Sequence, residues 1–148
     1  MEQSIFEAAG GLPAMRRIAA AWHTGAMADP LVAHPFSHGT RPDHEERLAS
    51  YLAEALGGPP LYTRRYGSGA DVARMHAGNG AHPELDDAAI RVFSAAVREA
   101  GVPEPAATRI SEYWAWATRG PAAAHQAGAG SVPEDEPVWA WGWSGPAE

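Results

Sequence analysis

Histidine is the side chain in this sequence best suited to chemistry near neutral pH, and it occurs seven times. The stretch "GSGADVARMHAGNGAH" at 67–82 places His76 between two glycine-rich patches. A neutral imidazole can bind a metal ion and can also donate a hydrogen bond. His76 is therefore either an incidental loop residue or a group that the loop directs at a ligand.

Two other histidines lie on predicted helix faces that should point into the protein. His44 begins a helix and shares a face with Leu48. His23 follows Trp22 on an apolar stripe. One such histidine is more often a core residue than a ligand, but two of them together with His76 favour a shared cavity that holds a metal-bearing cofactor. The remaining histidines are interpreted as surface loop residues: His34, His38, His82 and His125.

The composition and motifs exclude or disfavour several other kinds of site. The absence of cysteine excludes disulfides, thiolate catalysis, and iron or zinc held by cysteine. The spacing of His34, His38 and His44 in "HPFSHGTRPDH" matches no common zinc motif. The sequence also contains no glycine-rich phosphate loop and no nucleophile elbow.

The charge and hydropathy patterns indicate where the protein acts. A net charge of −7 argues against nucleic acid or an anionic membrane surface as the main partner. The first residues lack the basic-then-apolar pattern of an export signal, and no apolar run approaches the roughly 20 residues that span a bilayer. We therefore expect a cytoplasmic protein.

Apolar residues recur at helical spacing, which predicts an all-α domain over residues 1–120. A capping box of Ser4 and Glu7 begins a short first helix, which Gly10-Gly11 ends. The segment 61–82 is predicted to be mostly loop with room for one short helix. Four substantial helices are expected, over "PAMRRIAAAWHTGAMADP", "DHEERLASYLAEALGG", "PELDDAAIRVFSAAVREAG" and "PEPAATRISEYWAWATRG".

The last residues, 121–148, differ in character from the domain before them. "PAAAHQAGAGSVPEDEP" has the composition of a flexible linker. In "VWAWGWSG", Trp139, Trp141 and Trp143 alternate, so an extended backbone would place three indoles on one side. Three exposed indoles are unfavourable in water. We therefore expect this mostly irregular tail to dock on its own domain or on the partner subunit of a homodimer.

Several short motifs together resemble those of one protein family. They are "FEAAGG" at 6–11, "ADP" at 28–30, Phe36, "EERL" at 45–48, "GGPPLYTRRYG" at 57–67, "RMHA" at 74–77 and "DDAAIRVF" at 86–93. In this order, over roughly residues 4 to 119, the sequence resembles the truncated haemoglobins, specifically their bacterial group II branch. The resemblance implies a two-over-two helical sandwich around haem b (iron protoporphyrin IX) and leaves the tail outside the globin domain.

The resemblance also implies roles for individual residues. His76 matches the proximal histidine, whose imidazole binds the haem iron. Phe36 matches the aromatic residue that wedges the haem in place. Arg47 matches a position that reaches a haem propionate, and a guanidinium suits a carboxylate. The remaining candidates for contact with the haem or its propionate edge are Leu48, Tyr62, Arg74 and Met75.

The sequence departs from the family pattern in the ligand pocket. His23 replaces the usual tyrosine, and His44 replaces the small residue that often occupies the distal position. Two distal imidazoles can donate hydrogen bonds to dioxygen or act as a base on peroxide. Either can instead bind the iron as a sixth ligand, for which His44 is the better candidate. On the other side, Gly78-Asn79 replaces the Pro-Phe that usually follows the proximal histidine.

A further departure concerns the size of the pocket. Ala89 stands where the family carries a tryptophan over the bound ligand. Replacing an indole with a methyl group opens a volume of order 100 Å3, which exceeds that of several water molecules at ~30 Å3 each. Unless Trp22 or another side chain fills this volume, a small organic molecule can lie beside the haem.

Three functions are compatible with these features. The first is a haem globin that reversibly binds dioxygen or another diatomic ligand. The second is a haem-dependent oxidoreductase of peroxidase or oxygenase type, which acts on a small organic substrate and requires an electron donor. The third is a haem-free sensor or interaction module that docks through its tail. The presence of both Phe36 and His76 argues against the third.

Overall fold

The computed structural model describes residues 3–37, 39–76, 82–124 and 128–147. Eight α-helices lie in these ranges: α1 Ile5–Ala9, α2 Gly11–Ala28, α3 Pro30–Ala33, α4 His44–Ala55, α5 Leu61–Arg65, α6 Gly69–His76, α7 Pro83–Glu99 and α8 Ala106–Arg119. Short 3-10 turns cover His34–Phe36, Pro121–Ala123 and Ala129–Ser131, and two short strands, β1 Trp141–Gly142 and β2 Gly145–Pro146, follow. None of the described helices is both long and apolar enough to cross a membrane.

The four long helices, α2, α4, α7 and α8, confirm the prediction of an all-α domain. Helix α2 packs against both α4 and α7, and α7 packs against α8, so two helix pairs lie one over the other. The inward faces carry the apolar residues that the helical spacing predicted. Fully buried examples are Met15, Ile18, Leu52, Phe93 and Ile110.

The first helix begins and ends as its sequence predicts. The Ser4 hydroxyl oxygen accepts a hydrogen bond from the backbone N–H of Glu7 at 3.1 Å. Gly10 follows the helix with φ of 116°, a left-handed conformation that favours glycine. Asp29 then ends α2, and its side chain accepts hydrogen bonds from two backbone N–H groups of α3. These capping signals involve residues that are close together in the chain, so the sequence alone predicts where the helices begin and end.

The segment 61–82 is more helical than predicted. It contains two helices, α5 and α6, and His76 is the last residue of α6 rather than part of a loop. The cause is a reciprocal cap at the start of α6. The Ser68 N–H donates to the Asp71 carboxylate at 3.0 Å, and the Asp71 N–H donates to the Ser68 hydroxyl at 3.1 Å. This cap offsets the low helix propensity of Gly69.

The C-terminal tail lies against the helices of its own chain. Strands β1 and β2 pair antiparallel, with Trp141 opposite Pro146. Trp139 is buried, with 6% of its surface exposed. The Trp141 ring lies 5.3 Å from that of Trp116 in α8, and the Trp143 indole donates to the backbone carbonyl of Gln3 at 2.7 Å. All three indoles are therefore packed against the domain.

Candidate functional site

Three predicted site residues form one aromatic cluster. His23 lies on α2, His44 begins α4, and Phe36 ends the 3-10 turn between those helices. The ring centroids of His23 and His44 are 5.5 Å apart. Phe36 contacts His44 edge-on, also with a centroid distance of 5.5 Å. The packing of α2 against α4 therefore brings together two imidazoles that are far apart in the sequence.

His23 carries a buried ring nitrogen in this cluster. Its Nδ1 atom has no hydrogen-bond partner among the described residues. Leaving a buried polar atom unpaired costs about 1–3 kcal/mol, so such an atom marks a place where a bound molecule can supply the missing bond. The cluster thus offers a ligand one buried polar atom, Nδ1 of His23.

The imidazole of His44 is held mainly in its neutral form. Burial lowers its pKa, and the neighbouring His23 lowers it further. Glu45 and Asp43 act in the opposite direction but do not offset these effects. At pH 7 His44 is therefore neutral and can accept or donate a hydrogen bond.

The lowered pKa of His44 makes the stability of the haem-free protein depend on pH. In the unfolded chain His44 binds a proton at its ordinary pKa, whereas the folded protein binds it only at lower pH. Stability from this group is therefore complete above pH 6.5 and is lost as pH falls through the lower folded pKa. Urea unfolding between pH 7.5 and 5 should show a smaller loss of unfolding free energy for His44→Gln than for the wild type. The exposed His34→Gln serves as control, and equal slopes for all three proteins would contradict the prediction.

His76 is held by a hydrogen bond within its own helix. Its Nδ1 atom lies 2.8 Å from the backbone carbonyl oxygen of Val72. Because a carbonyl oxygen can only accept, Nδ1 carries a proton, and in the neutral ring the lone pair is then on Nε2. This tautomer is the one that binds a metal through Nε2, and the hydrogen bond orients the ring. The His76 side chain is exposed.

A tail residue that was not among the predicted site residues contacts His76. The ring of Trp139 lies 5.6 Å from the His76 ring, with an angle of 56° between the two planes. The only hint in the sequence was that three indoles needed a surface to pack against. Nothing in the sequence indicated that this surface includes His76.

Arg47 is engaged on two sides in this structure. Its Nε–H donates to the Asp43 carboxylate at 2.9 Å. Its guanidinium lies over the Tyr66 ring, 4.8 Å from the centroid. Asp43 and Tyr66 thus fix the guanidinium, which has five N–H donors and can hold a further carboxylate as well.

The other predicted cofactor contacts lie in different surroundings. Tyr62 is buried between Tyr51 and Tyr66, at centroid distances of 5.3 and 5.8 Å. Arg74 pairs with Asp71 at 3.2 Å. Leu48 is half-buried against the core, whereas Met75 is 59% exposed. Tyr62 is therefore a core residue here, and Met75 presents its side chain at the surface next to His76.

The two residues predicted to line a substrate pocket lie in or beside the aromatic core. Trp22 packs against Phe93 and Trp114, with centroid distances of 5.9 and 4.9 Å. Phe93 and Trp114 are stacked at 3.9 Å. Ala89 is half-buried and packs against this core. Trp22 is thus mainly a packing residue.

Of the remaining histidines, the structure describes His34 and His82. His34 is exposed. His82 precedes α7 and its Nδ1 lies 3.0 Å from the Asp86 carboxylate. Within the described part of the chain, no three histidine, aspartate or glutamate side chains are grouped to hold a metal ion. Further residues discussed from the sequence lie outside the described ranges: His38, Gly78, Asn79 and His125.

The residues present fit a haem group. The donor set consists of imidazoles, which bind haem iron, and no thiolate competes. The Nδ1–H of His76 is bonded to a backbone carbonyl, which is the arrangement expected of a ligating histidine. The buried Nδ1 of His23, which has no hydrogen-bond partner in the described part of the chain, lies in a cluster with His44 and Phe36.

Comparisons with known proteins agree with this chemistry. A family model described as bacterial-like globin matches residues 4–117. The haemoglobin structure from Chloroflexus aurantiacus is 33% identical with a TM-score of 0.70, covering 80% of this chain and 96% of that chain. The Bacillus anthracis group II truncated haemoglobin has a TM-score of 0.71 at 20% identity, over 80% and 90% of the two chains, which shows the fold. A group 1 truncated haemoglobin from Tetrahymena thermophila is 28% identical over 101 residues, 68% of this chain and 79% of that relative.

Proposed function

Because the chain belongs to the bacterial-like globin family and is a truncated haemoglobin, we propose that it binds haem b through His76 and holds dioxygen or another diatomic ligand at the iron. Membership in this family implies haem and diatomic-ligand binding; the residue roles are our proposal. The observation that carries them is the hydrogen bond from His76 Nδ1 to the Val72 carbonyl oxygen, which favours the tautomer that binds a metal through Nε2.

Haem iron, when bound, supplies a coordination position for the diatomic ligand. The protein supplies hydrogen-bond donors for that ligand through His44 and His23. Both imidazoles are at least partly buried, which strengthens a hydrogen bond relative to one in water. Since the pKa of His44 is lowered, its ring donates as a neutral group and adds no buried charge.

Other residues hold the cofactor in place. Phe36 offers an aromatic ring beside His44, where it can pack against the porphyrin. Arg47, already oriented by Asp43 and Tyr66, has N–H groups left for a propionate carboxylate. Orientation by Asp43 reduces the conformational entropy that the guanidinium loses on binding.

Hemin titration of the purified protein, followed by absorption spectroscopy, tests this function. We expect a Soret band that saturates at one hemin per chain. The absence of a Soret band after hemin addition would overturn the proposal. In the dithionite-reduced protein, a five-coordinate spectrum would show an open iron position, and a six-coordinate low-spin spectrum would show that His44 or His23 occupies it.

A second function, a haem-dependent oxidoreductase, is favoured by one arrangement. The buried Nδ1 of His23, for which the described residues supply no hydrogen-bond partner, lies beside His44, so the site contains a nitrogen that can accept a proton. Ala89 also favours an oxidoreductase, because its side chain is smaller than the tryptophan that the family usually carries at this position and leaves more room for a substrate. Exposing the reduced haem protein to air distinguishes the ligand binder from the oxidoreductase. A lasting, reversible spectral change indicates a ligand binder, whereas rapid conversion to the ferric spectrum indicates the oxidoreductase.

A further inference from the structure

We propose that Trp139, in the C-terminal tail, is a positioning residue for His76, so that the tail forms part of the haem site. This inference rests on the proposed function, in which His76 binds the iron. The family match ends at residue 117, so the tail is a feature of this chain beyond the matched region. Its role must therefore be argued from its own contacts.

The tail backbone lies directly against the start of the helix that carries His76. A Cβ atom added at Gly69, the first residue of α6, would overlap the carbonyl carbon of Pro137 and would lie 2.5 Å from the carbonyl oxygen of Glu136. Gly69 is buried. Only glycine permits this close approach of two backbones. The sequence of α6 is thus adapted to the docked tail.

Trp139 is fixed at both its backbone and its side chain. Its backbone N–H donates to the Tyr51 hydroxyl at 2.9 Å, and its indole N–H donates to the Glu136 carboxylate at 3.3 Å. Burial raises the pKa of Tyr51, so this hydroxyl stays neutral across the physiological range. Tyr51 belongs to α4, the helix that His44 begins. The same helix therefore anchors the tail and presents a distal histidine.

Contacts from its own helix and from the tail orient the side chain of His76, the last residue of α6. The hydrogen bond to Val72 fixes one ring nitrogen. The Trp139 ring, 5.6 Å away and 94% buried, limits rotation of the imidazole on another side. Residues that orient a metal-binding histidine typically change metal affinity by about 10–100-fold when they are lost.

The test compares Trp139→Ala with Trp143→Ala, each reconstituted with hemin. Trp143→Ala removes the same indole volume from the same tail, but Trp143 contacts Gln3 rather than His76. We expect hemin transfer to an excess of a haem-scavenging apoglobin to be about tenfold faster for Trp139→Ala and nearly unchanged for Trp143→Ala. We also expect the iron–imidazole stretching band of the ferrous protein, seen by resonance Raman, to shift or broaden only in Trp139→Ala.

Two milder variants keep the test decisive if Trp139→Ala unfolds. Trp139→Phe retains a ring beside His76, and Tyr51→Phe removes only the hydroxyl that holds the tail. Both should give intermediate transfer rates. In the haem-free protein, the His76 ring-proton resonance should move in each variant, because Trp139→Phe replaces the indole next to His76 and Tyr51→Phe displaces it.

The outcomes separate this inference from the proposed function. If both Trp139 variants retain hemin as the wild type does, with an unchanged iron–imidazole band and an unchanged His76 resonance, Trp139 does not position His76. Hemin retention that is independent of His76 would instead overturn the proposed function.

Discussion

His76→Ala is expected to abolish stable haem binding, or to leave an iron site that added imidazole restores. The variant removes the only nitrogen that we assign as the permanent iron ligand. The expected effect exceeds the 10–100-fold that is typical when a residue behind a metal ligand is lost, because here the ligand itself is lost. The measurement is the Soret absorbance of the reconstituted variant after gel filtration, with and without imidazole.

The matched control for this variant is His34→Ala. His34 is also a histidine but is exposed and lies in neither site group. It should retain hemin and show the wild-type spectrum. If His76→Ala shows normal haem content and an unchanged spectrum, the assignment of His76 is wrong.

His44→Leu and His23→Leu are expected to release dioxygen faster than the wild type. A hydrogen bond to a partly charged group contributes about 1.5–3 kcal/mol, and 1.4 kcal/mol corresponds to a factor of ten. Loss of the dominant donor should therefore raise the dioxygen dissociation rate by roughly ten- to a hundredfold. Stopped-flow displacement of dioxygen by carbon monoxide measures this rate.

The double variant and a remote histidine complete the experiment. Because His23 and His44 are in contact, their effects are not expected to add. His82→Leu, a histidine that pairs with Asp86 instead, should leave the rate unchanged. If neither the single variants nor the double variant alters dioxygen release, neither histidine is the distal donor. If the resting iron is six-coordinate, His44→Leu should convert it to a five-coordinate form.

Local sequence signals predicted most of the fold. The long helices follow from apolar residues at helical spacing, and α1 follows from the cap at Ser4 and the left-handed Gly10. One local signal was missed: the reciprocal cap of Ser68 and Asp71, which makes the residues before His76 helical. The glycines around this segment masked it, because glycine ordinarily indicates a loop.

The site could be predicted only in part. The family resemblance pointed to His76, His44 and His23. It also pointed to Tyr62 as a haem contact, whereas Tyr62 is buried between Tyr51 and Tyr66. Helical spacing placed Trp22 on an inward face but did not specify whether it packs in the core or lines a pocket, because that depends on neighbours from other helices.

The sequence by itself determined the helical domain, and its family motifs predict His76 as the candidate iron ligand. These depend on residue types and on spacings within one helix turn or one motif. Only the tertiary structure decided that His23 and His44 share a cluster, and that Trp139 lies against His76. Such contacts join segments that are far apart in the chain. They arise from how whole helix faces and the tail pack together, which no local pattern specifies.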